Sequence, residues 1–352
     1  MRFTGVLVFL IQGCLIALLV LIPLAHTAYS ATFERHFLMA AQRGDFSRLE
    51  EALTAFPEEA RSLSENELYL QYRERFVARV ESFSPHTGVP LLDSLVAAHR
   101  SYWVQAAMHP DQQEELELEL RNEIREILNP YPEPGGPESD LDIYERMVRA
   151  VRPHGFHLLS DWSPPFRDLI VWQAEEREEY QVALTDGNEP VTVVFMSDFV
   201  SQGWSHFLSL SLLSTSGWAG EDALYCVSWA YDRDSPEFHV SYLQHEARHL
   251  ADYRLYPGLA EEELEYRAKL TELAFAGTTA TTLLAAFTAD ADGSGPGAHA
   301  RANSRVARDM YREIFGGDLP AETVRWDVSP AFDVNPAARV LLERSSAGLV
   351  VE

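Results

Sequence analysis

Two histidines and a glutamate, His245, Glu246 and His249, form an H-E-x-x-H pattern within the stretch YLQHEARHLADYRLYPG. On an α-helix, residues four apart lie on one face, one turn apart, so both imidazoles can reach a single ion. Paired neutral imidazoles at this spacing are typical of a zinc site. Glu246 adjoins the first histidine and can reach a water on the open side of the metal. The pattern therefore predicts a zinc ion that assists hydrolysis, with Glu246 as the general base.

The segment that carries this pattern is predicted to be a helix that lines a cleft. Apolar residues recur along it at helical spacing and form a core-facing stripe of Val240, Leu243, Ala247, Leu250 and Ala251. The stripe lies beside the histidine face, which leaves the histidines available to a ligand. Pro257 and Gly258 are expected to end the helix.

A third ligand is expected on a second helix, EEELEYRAKLTELAFAG, where Glu265 and Glu272 compete for the role. In an antiparallel helix pair, His249, about six residues before the first helix ends, lies level with Glu265, about five residues into the second. Glu272 is about 10 Å further along the axis and would overshoot the metal. The presence of Glu272 is also explained by an ion pair with Lys269, three residues earlier on the same helix. Glu265 is therefore the predicted third ligand and Glu272 the alternative.

These residues resemble the gluzincin group of zinc metallopeptidases. The segment from His245 to His249 carries the first part of that group's motif, and Glu265-Tyr266-Arg267-Ala268-Lys269 is similar to its E-x-x-A-D pattern. The resemblance covers about residues 218–275. It implies a zincin-like domain in which His245, His249 and Glu265 bind zinc, Glu246 is the general base, and a strand such as ALYCVSW forms the edge that pairs with an extended substrate.

One position departs from that family pattern. The group often has an acidic residue four positions after the glutamate, and its carboxylate accepts a hydrogen bond from a ligating histidine. This chain has Lys269 at that position, and a lysine cannot accept such a bond. Because ligating histidines need a partner that fixes their tautomer and orientation, another residue is required here.

Further candidates are weaker. His299 and Tyr311, at or within the last long helix, are predicted as possible oxyanion support, with a surface histidine and a core tyrosine as the alternatives. Asp252 is expected either to support the site or to lie at the surface. Cys226, the single cysteine after residue 30, is expected to be buried and inert, and His206 is expected to be a core histidine.

The N-terminus has the composition of an export signal. Arg2 is followed by an apolar run from Gly5 to Ala25, and Ala28-Tyr29-Ser30 offers small residues for a signal peptidase. The run is also about as long as the roughly 20 residues of a membrane-spanning helix. Residues 1–30 are therefore predicted to be a cleaved signal peptide or a membrane anchor. In either case the remaining chain is exported, to the periplasm or cell envelope.

The periodicity of apolar residues in the rest of the chain predicts the helices and strands that must position the site. Residues 31–128 have helical periodicity, and residues 129–140, with four prolines and two glycines, are the predicted linker. Strand-like runs follow, with a hairpin expected at Asp186-Gly187. Residues 141–315 are predicted to form the metallohydrolase domain, and residues 316–352 a C-terminal tail with little periodicity.

These observations predict an α+β fold: a zincin-like catalytic domain with a small mixed sheet, an active-site helix and a glutamate helix, joined to a helical N-terminal region. The net charge of −26 argues against nucleic acid as a partner, since no basic cluster offsets it. The predicted function is an exported zinc metallohydrolase, most simply a peptidase acting on a peptide or protein. The alternative is a non-catalytic envelope scaffold or interaction protein that retains the metal site.

Overall fold

The structure is a computed structural model, and it describes residues 33–49, 61–78, 83–131, 140–220, 222–289, 298–320 and 326–349. It has the predicted α+β class, with helices and a five-stranded mixed sheet. The predicted signal or anchor, residues 1–30, and most of the predicted linker, residues 129–140, lie outside the described residues. Among the helices that are described, none is both long and apolar enough to cross a membrane.

The chain divides into two compact units. The first unit consists of the described residues up to Glu175 together with Met196–Ser216, and the second consists of Glu176–Phe195 and the described residues from Gly217 onward. The division does not follow the proline-rich segment. It falls within two long strands, because each of them contributes residues to both units.

Residues 31–128, predicted to be helical, contain four α-helices among their described residues: α1 (Phe33–Arg43), α2 (Leu63–Tyr72), α3 (Pro90–Met108) and α4 (Gln113–Leu128). The first unit also contains α5 (Asp140–Val151) and α6 (Gly203–Leu208). Local sequence explains where several of them begin. Ser62 and Glu65 form a reciprocal capping box at the start of α2, and Pro90 occupies the first turn of α3, where its missing N–H is not needed. Their buried faces share an aromatic-rich core that includes Phe46, Tyr72 and Trp103.

The sheet has the strand order β1-β4-β5-β7-β6. Its strands are β1 (His157–Leu159), β4 (Ile170–Leu184), β5 (Gly187–Gln202), β6 (Gly217–Ala219) and β7 (Leu224–Val227), and a separate two-stranded ribbon joins β2 (Trp162–Ser163) to β3 (Phe166–Arg167). The predicted hairpin is confirmed, because β4 and β5 are neighbours joined by Thr185 and Asp186. Gly187 opens β5 with φ of 145°, a conformation that glycine adopts without strain.

The second unit contains the segment with the H-E-x-x-H pattern. After a π-helical segment (Glu237–Gln244), its helices are α7 (His245–Leu255), α8 (Glu261–Phe275), α9 (Ala280–Ala289), α10 (Ala298–Phe315) and α11 (Asn335–Gly348). Gly258, with φ of 83°, lies in the turn between α7 and α8, where a helix end was expected. Helix α11 lies in the segment predicted to be a tail of little periodicity, and it packs against α8.

Candidate metal centre

The two histidines of the pattern lie at the start of α7. His245 is its first residue and His249 follows one turn later, both buried. The predicted apolar stripe positions the helix, because Leu243, Ala247 and Ala251 are buried in a core shared with strands of the sheet. The histidine face is thereby turned away from that core, as the spacing of the apolar residues predicts.

Helix α8 runs beside α7 and brings Glu265 to the histidines. His245 Nε2 lies 3.1 Å from His249 Nε2 and 3.7 Å from Glu265 Oε2, and His249 Nε2 lies 3.3 Å from Glu265 Oε1. These three residues are the group within the described chain whose ligand atoms all lie within 4.8 Å of one another. The structure therefore places together the three ligands expected from the sequence.

The spacing of these donors fits a small metal ion. Ligand atoms about 2.0–2.1 Å from a tetrahedral ion are about 3.3 Å apart. The two imidazole nitrogens, 3.1 Å apart, are close to this distance, and each of them has one of the two Glu265 oxygens within 3.7 Å. Two imidazole nitrogens and one carboxylate are a donor set that zinc accepts. The residues present therefore fit a divalent ion of zinc-like size, and the set of donors alone does not choose zinc over other small divalent metals.

Glu272, the alternative ligand, has a different role. The Nδ1–H of His245 donates a 2.7 Å hydrogen bond to Glu272 Oε1, which leaves the Nε2 lone pair of His245 facing Glu265. The predicted ion pair of Glu272 with Lys269 is wrong, since Lys269 Nζ instead lies 3.5 Å from Glu265 Oε2. Burial lowers the pKa of His245, against the opposing effect of Glu272, so this imidazole stays neutral and ready to ligate.

The carboxylate that the family pattern leads one to expect at position 269 is thus supplied at position 272. Seven residues span nearly two turns, so Glu265 and Glu272 lie on faces within about 20° of each other. Glu272 can therefore reach His245 from the same helix face on which Glu265 approaches the pair. This seven-residue spacing was the signal in the sequence that would have identified the missing partner.

Glu246 is buried beside the ligands and faces the sheet. Burial raises its pKa to about 8; His249 lowers it, Glu265 and Glu272 raise it, and a hydrogen bond from the backbone N–H of Ala219 lowers it. Ala219 belongs to β6, which is the edge strand. The expectation that ALYCVSW forms the edge is wrong, because β7 within it lies between β5 and β6. The edge next to the proposed base is β6.

His299 and Tyr311 have different surroundings although both belong to α10. His299 Nδ1 lies 2.9 Å from Glu265 Oε2, and its side chain is 33% exposed. Tyr311 is twelve residues further along, about 18 Å at the rise of an α-helix, and its ring packs against Phe315 and Trp326. The structure therefore brings His299 to the ligands and leaves Tyr311 in an aromatic core.

Glu265 is the most heavily contacted of the ligands. Burial by itself would raise its pKa, but His299 and Lys269 beside it, together with a hydrogen bond from His249, hold that pKa well below its usual range. Glu265 is therefore ionised even in the interior. An ionised oxygen donor next to two imidazole nitrogens is the condition that metal binding requires.

Asp252 supports the site by joining its two helices. Both oxygens of Asp252 bind Arg267, at 2.7 and 3.0 Å, and Oδ1 also lies 2.8 Å from Arg248 NH2. Arg248 in turn contacts Asp186 in the hairpin between β4 and β5. Asp252, Arg248 and Arg267 are all buried. These ion pairs set the separation of α7 and α8. In the sequence, only the position of Arg248 within the H-E-x-x-H segment pointed to them.

Of the remaining candidates, Cys226 is buried as expected, whereas His206 is only partly buried and is not a core residue. Cys226 is a buried free thiol, and burial raises its pKa to about 12, which keeps it inert. His206 is partly buried in the first unit, with a pKa lowered first by burial and then by Arg100 and Arg75. Neither residue belongs to the cluster around His245.

Comparisons with protein-family models, with curated proteins and with solved structures give no match for this chain. The gluzincin resemblance therefore depends on the H-E-x-x-H segment and the glutamate helix alone.

Proposed function

We propose that this chain is a zinc-dependent hydrolase, most simply a peptidase, with His245, His249 and Glu265 as the metal ligands. The observation that carries the proposal is the convergence of these three buried residues, whose ligand atoms all lie within 4.8 Å of one another. Two imidazole nitrogens and one carboxylate oxygen are a donor set that zinc accepts. The carboxylate of Glu272 adds to it, because a hydrogen-bonded second ring nitrogen is what ligating histidines usually have.

The charges around the donors support a divalent ion. With its histidines neutral, the site contains three carboxyl side chains, those of Glu246, Glu265 and Glu272, and one ammonium, that of Lys269. Burial raises the pKa of Glu246 to about 8, so at neutral pH this carboxyl keeps its proton. If Glu265 and Glu272 are both ionised, their charges exceed that of Lys269 by one negative charge, and buried charges are costly unless they are compensated. A divalent cation would supply that compensation.

When bound, a zinc ion polarises a substrate carbonyl and makes water a nucleophile near neutral pH. Glu246 adjoins the donors without being one of them, since neighbouring helix residues point about 100° apart. Its carboxylate would accept the proton of the attacking water and return it to the leaving amine. His299 is partly exposed and lies beside Glu265, and it would donate a hydrogen bond to the developing oxyanion.

A peptide or protein substrate and an exported location belong to the same proposal. Strand β6 is at the sheet edge beside Glu246, and an edge strand can pair with an extended chain. Export is inferred from the apolar run between Gly5 and Ala25, with periplasmic or cell-envelope residence in either the cleaved or the anchored form.

The burial of the ligands favours a second candidate function. His245, His249 and Glu265 are each no more than 2% exposed, and structural zinc sites are closed whereas catalytic sites keep an open position. A non-catalytic envelope protein could use this site to hold α7 against α8. Binding of a small hydroxamate to the cobalt-substituted protein, followed by its visible spectrum, separates the two candidates, because a closed shell leaves the spectrum unchanged.

The direct test is metal analysis of the purified protein together with cleavage of a broad peptide library. We expect one zinc ion per chain and hydrolysis that a chelator abolishes and added zinc restores. A protein that contains no tightly bound metal, and gains none after incubation with zinc, would contradict the metal centre. A protein that binds zinc but cleaves nothing and ignores the hydroxamate would favour the scaffold.

A further inference from the structure

Lys269 is the single lysine of the chain; the other 27 basic residues are arginines. It is also one of the most buried charges, at 6% exposure, on the same helix as Glu265 and Glu272. Its Nζ lies 3.5 Å from Glu265 Oε2 and 3.5 Å from His299 Nδ1. The one lysine is therefore found against an oxygen of the carboxylate that the proposed metal would use.

The chemistry of the lysine suits this position better than that of an arginine. An ammonium group is a compact point charge, whereas a guanidinium is a wide planar fork that needs room for several hydrogen bonds. The Nζ is enclosed on another side by the ring of Phe287, whose centroid is 5.4 Å away. A buried cation of small size thus occupies a place next to the donors, where the family pattern has an acidic residue.

We propose that Lys269 is a resident cation that compensates Glu265 in the metal-free protein and opposes the metal ion when it binds. The inference rests on the proposed metal centre, and it assigns Lys269 a positioning and affinity-setting role rather than contact with substrate. Two cations near one carboxylate compete for it and repel each other, so the same ammonium that stabilises the empty site weakens metal binding.

Removal of this charge should therefore act in opposite directions on the two states. Without metal, Glu265 remains buried with less positive charge beside it, which destabilises the folded protein. With metal, the ion loses a like-charged neighbour and gains fuller use of the Glu265 carboxylate. A residue that only filled space would shift both states in the same direction.

The experiment compares the full chain with Lys269→Met, which keeps an unbranched side chain one heavy atom shorter than lysine and removes its charge. Thermal unfolding is measured in excess chelator and in excess zinc, and zinc affinity is measured by competition with a chromophoric chelator. Arg254→Met is the control, because it removes a positive charge from α7 whose partner, Glu189, lies outside the cluster.

We expect Lys269→Met to melt several degrees below wild type in chelator, and to show a larger zinc-induced rise in Tm than wild type. Its zinc affinity should be higher by on the order of tenfold or more. Arg254→Met should leave both the zinc-induced rise and the affinity unchanged. If Lys269→Met does not yield soluble protein, Lys269→Gln removes the charge while keeping a hydrogen-bond donor, and the same results are expected.

Unchanged or weaker zinc affinity in the charge-removed variant would overturn the inference. If zinc does not raise the Tm of wild type, the proposed metal centre is wrong. The Tm measured in excess chelator then tests the compensating role of Lys269 by itself. If Lys269→Met or Lys269→Gln is as stable as wild type in excess chelator, Lys269 does not compensate Glu265.

Discussion

The two units treat buried charge in different ways. Among the described residues, the buried histidine, acidic and basic side chains of the first unit are His99 and Asp168, whereas the second unit buries ten: Glu189, His245, Glu246, Arg248, His249, Asp252, Glu265, Arg267, Lys269 and Glu272. Such groups are normally exposed or paired. The difference distinguishes the unit that contains the candidate metal centre from the unit whose described interior is mainly apolar.

Each buried group of the first unit is accommodated alone. The Nδ1–H of His99 donates to the Leu95 carbonyl at 2.8 Å, and burial lowers the pKa of His99 to about 4, which keeps it neutral. Asp168 accepts 2.8 Å hydrogen bonds from the backbone N–H groups of Leu169 and Trp204, and burial still raises its pKa to about 6. Isolated burial thus moves each group toward its neutral form.

In the second unit the buried groups meet one another. Some of these groups form ion pairs with each other. Asp252, for example, pairs with Arg248 and Arg267 and so joins α7 to α8. The others, around His245 and His249, leave more carboxylates than cations. The contrast teaches that a surplus of buried donors, rather than burial itself, marks the candidate metal centre.

The largest expected effect is on zinc content, when one buried histidine in each unit is replaced by alanine. His245→Ala removes a ligand, so bound zinc should fall from one per chain to nearly none, and hydrolysis should be lost with it. His99→Ala leaves a cavity in the first unit and should lower the melting temperature without changing zinc content. Zinc analysis and thermal unfolding of both variants check this. Equal zinc loss in the two variants would break the comparison.

Glu246→Gln should separate catalysis from binding within the second unit. The amide keeps the size of the side chain and removes the basic oxygen, so hydrolysis should fall by about 10² to 10⁴-fold. Zinc content and Tm should stay near wild type, because Glu246 is not a ligand. The rate is measured with a peptide from the library screen. Wild-type cleavage by this variant would exclude Glu246 as the base.

Glu272→Gln should weaken the metal site by an intermediate amount. Loss of the partner of a ligating histidine typically costs about 10- to 100-fold in metal affinity. Glu265→Ala, in contrast, should lose zinc altogether, and Glu262→Gln on the same helix should change nothing, because Glu262 pairs with Arg301 at the surface. Chelator competition ranks the three variants. Zinc loss in Glu272→Gln with zinc retained in Glu265→Ala would reverse the assignment of the third ligand.

The smallest effect is expected for Asp168→Asn in the first unit. Because the pKa of Asp168 is raised from 3.8 to about 6 in the folded state, the native protein holds the proton more tightly. The free energy of unfolding should therefore fall by about 2 kcal/mol as the pH rises from about 4 to about 6. The asparagine, which never ionises, should lack this loss. Denaturation in chelator across that pH range tests it, and an identical pH dependence in both proteins would contradict it.

Much of the site could be predicted without the structure because it depends on local geometry. The four-residue spacing of His245 and His249 places both rings on one helix face whatever the rest of the chain does. The apolar stripe of α7 predicts which face packs, and simple counting along two antiparallel helices selects Glu265. The α+β class and the hairpin between β4 and β5 follow equally from periodicity and turn chemistry.

Other features depend on which elements become neighbours, and only the tertiary structure decided them. The reach of Glu272 to His245, the position of β6 rather than β7 at the sheet edge, and the approach of His299 to Glu265 all follow from packing between distant segments. Helix α11 also forms where the sequence shows little periodicity, because its stability comes from packing on α8. Spacing along the chain determines what one helix presents, whereas contacts between helices determine which buried charges meet.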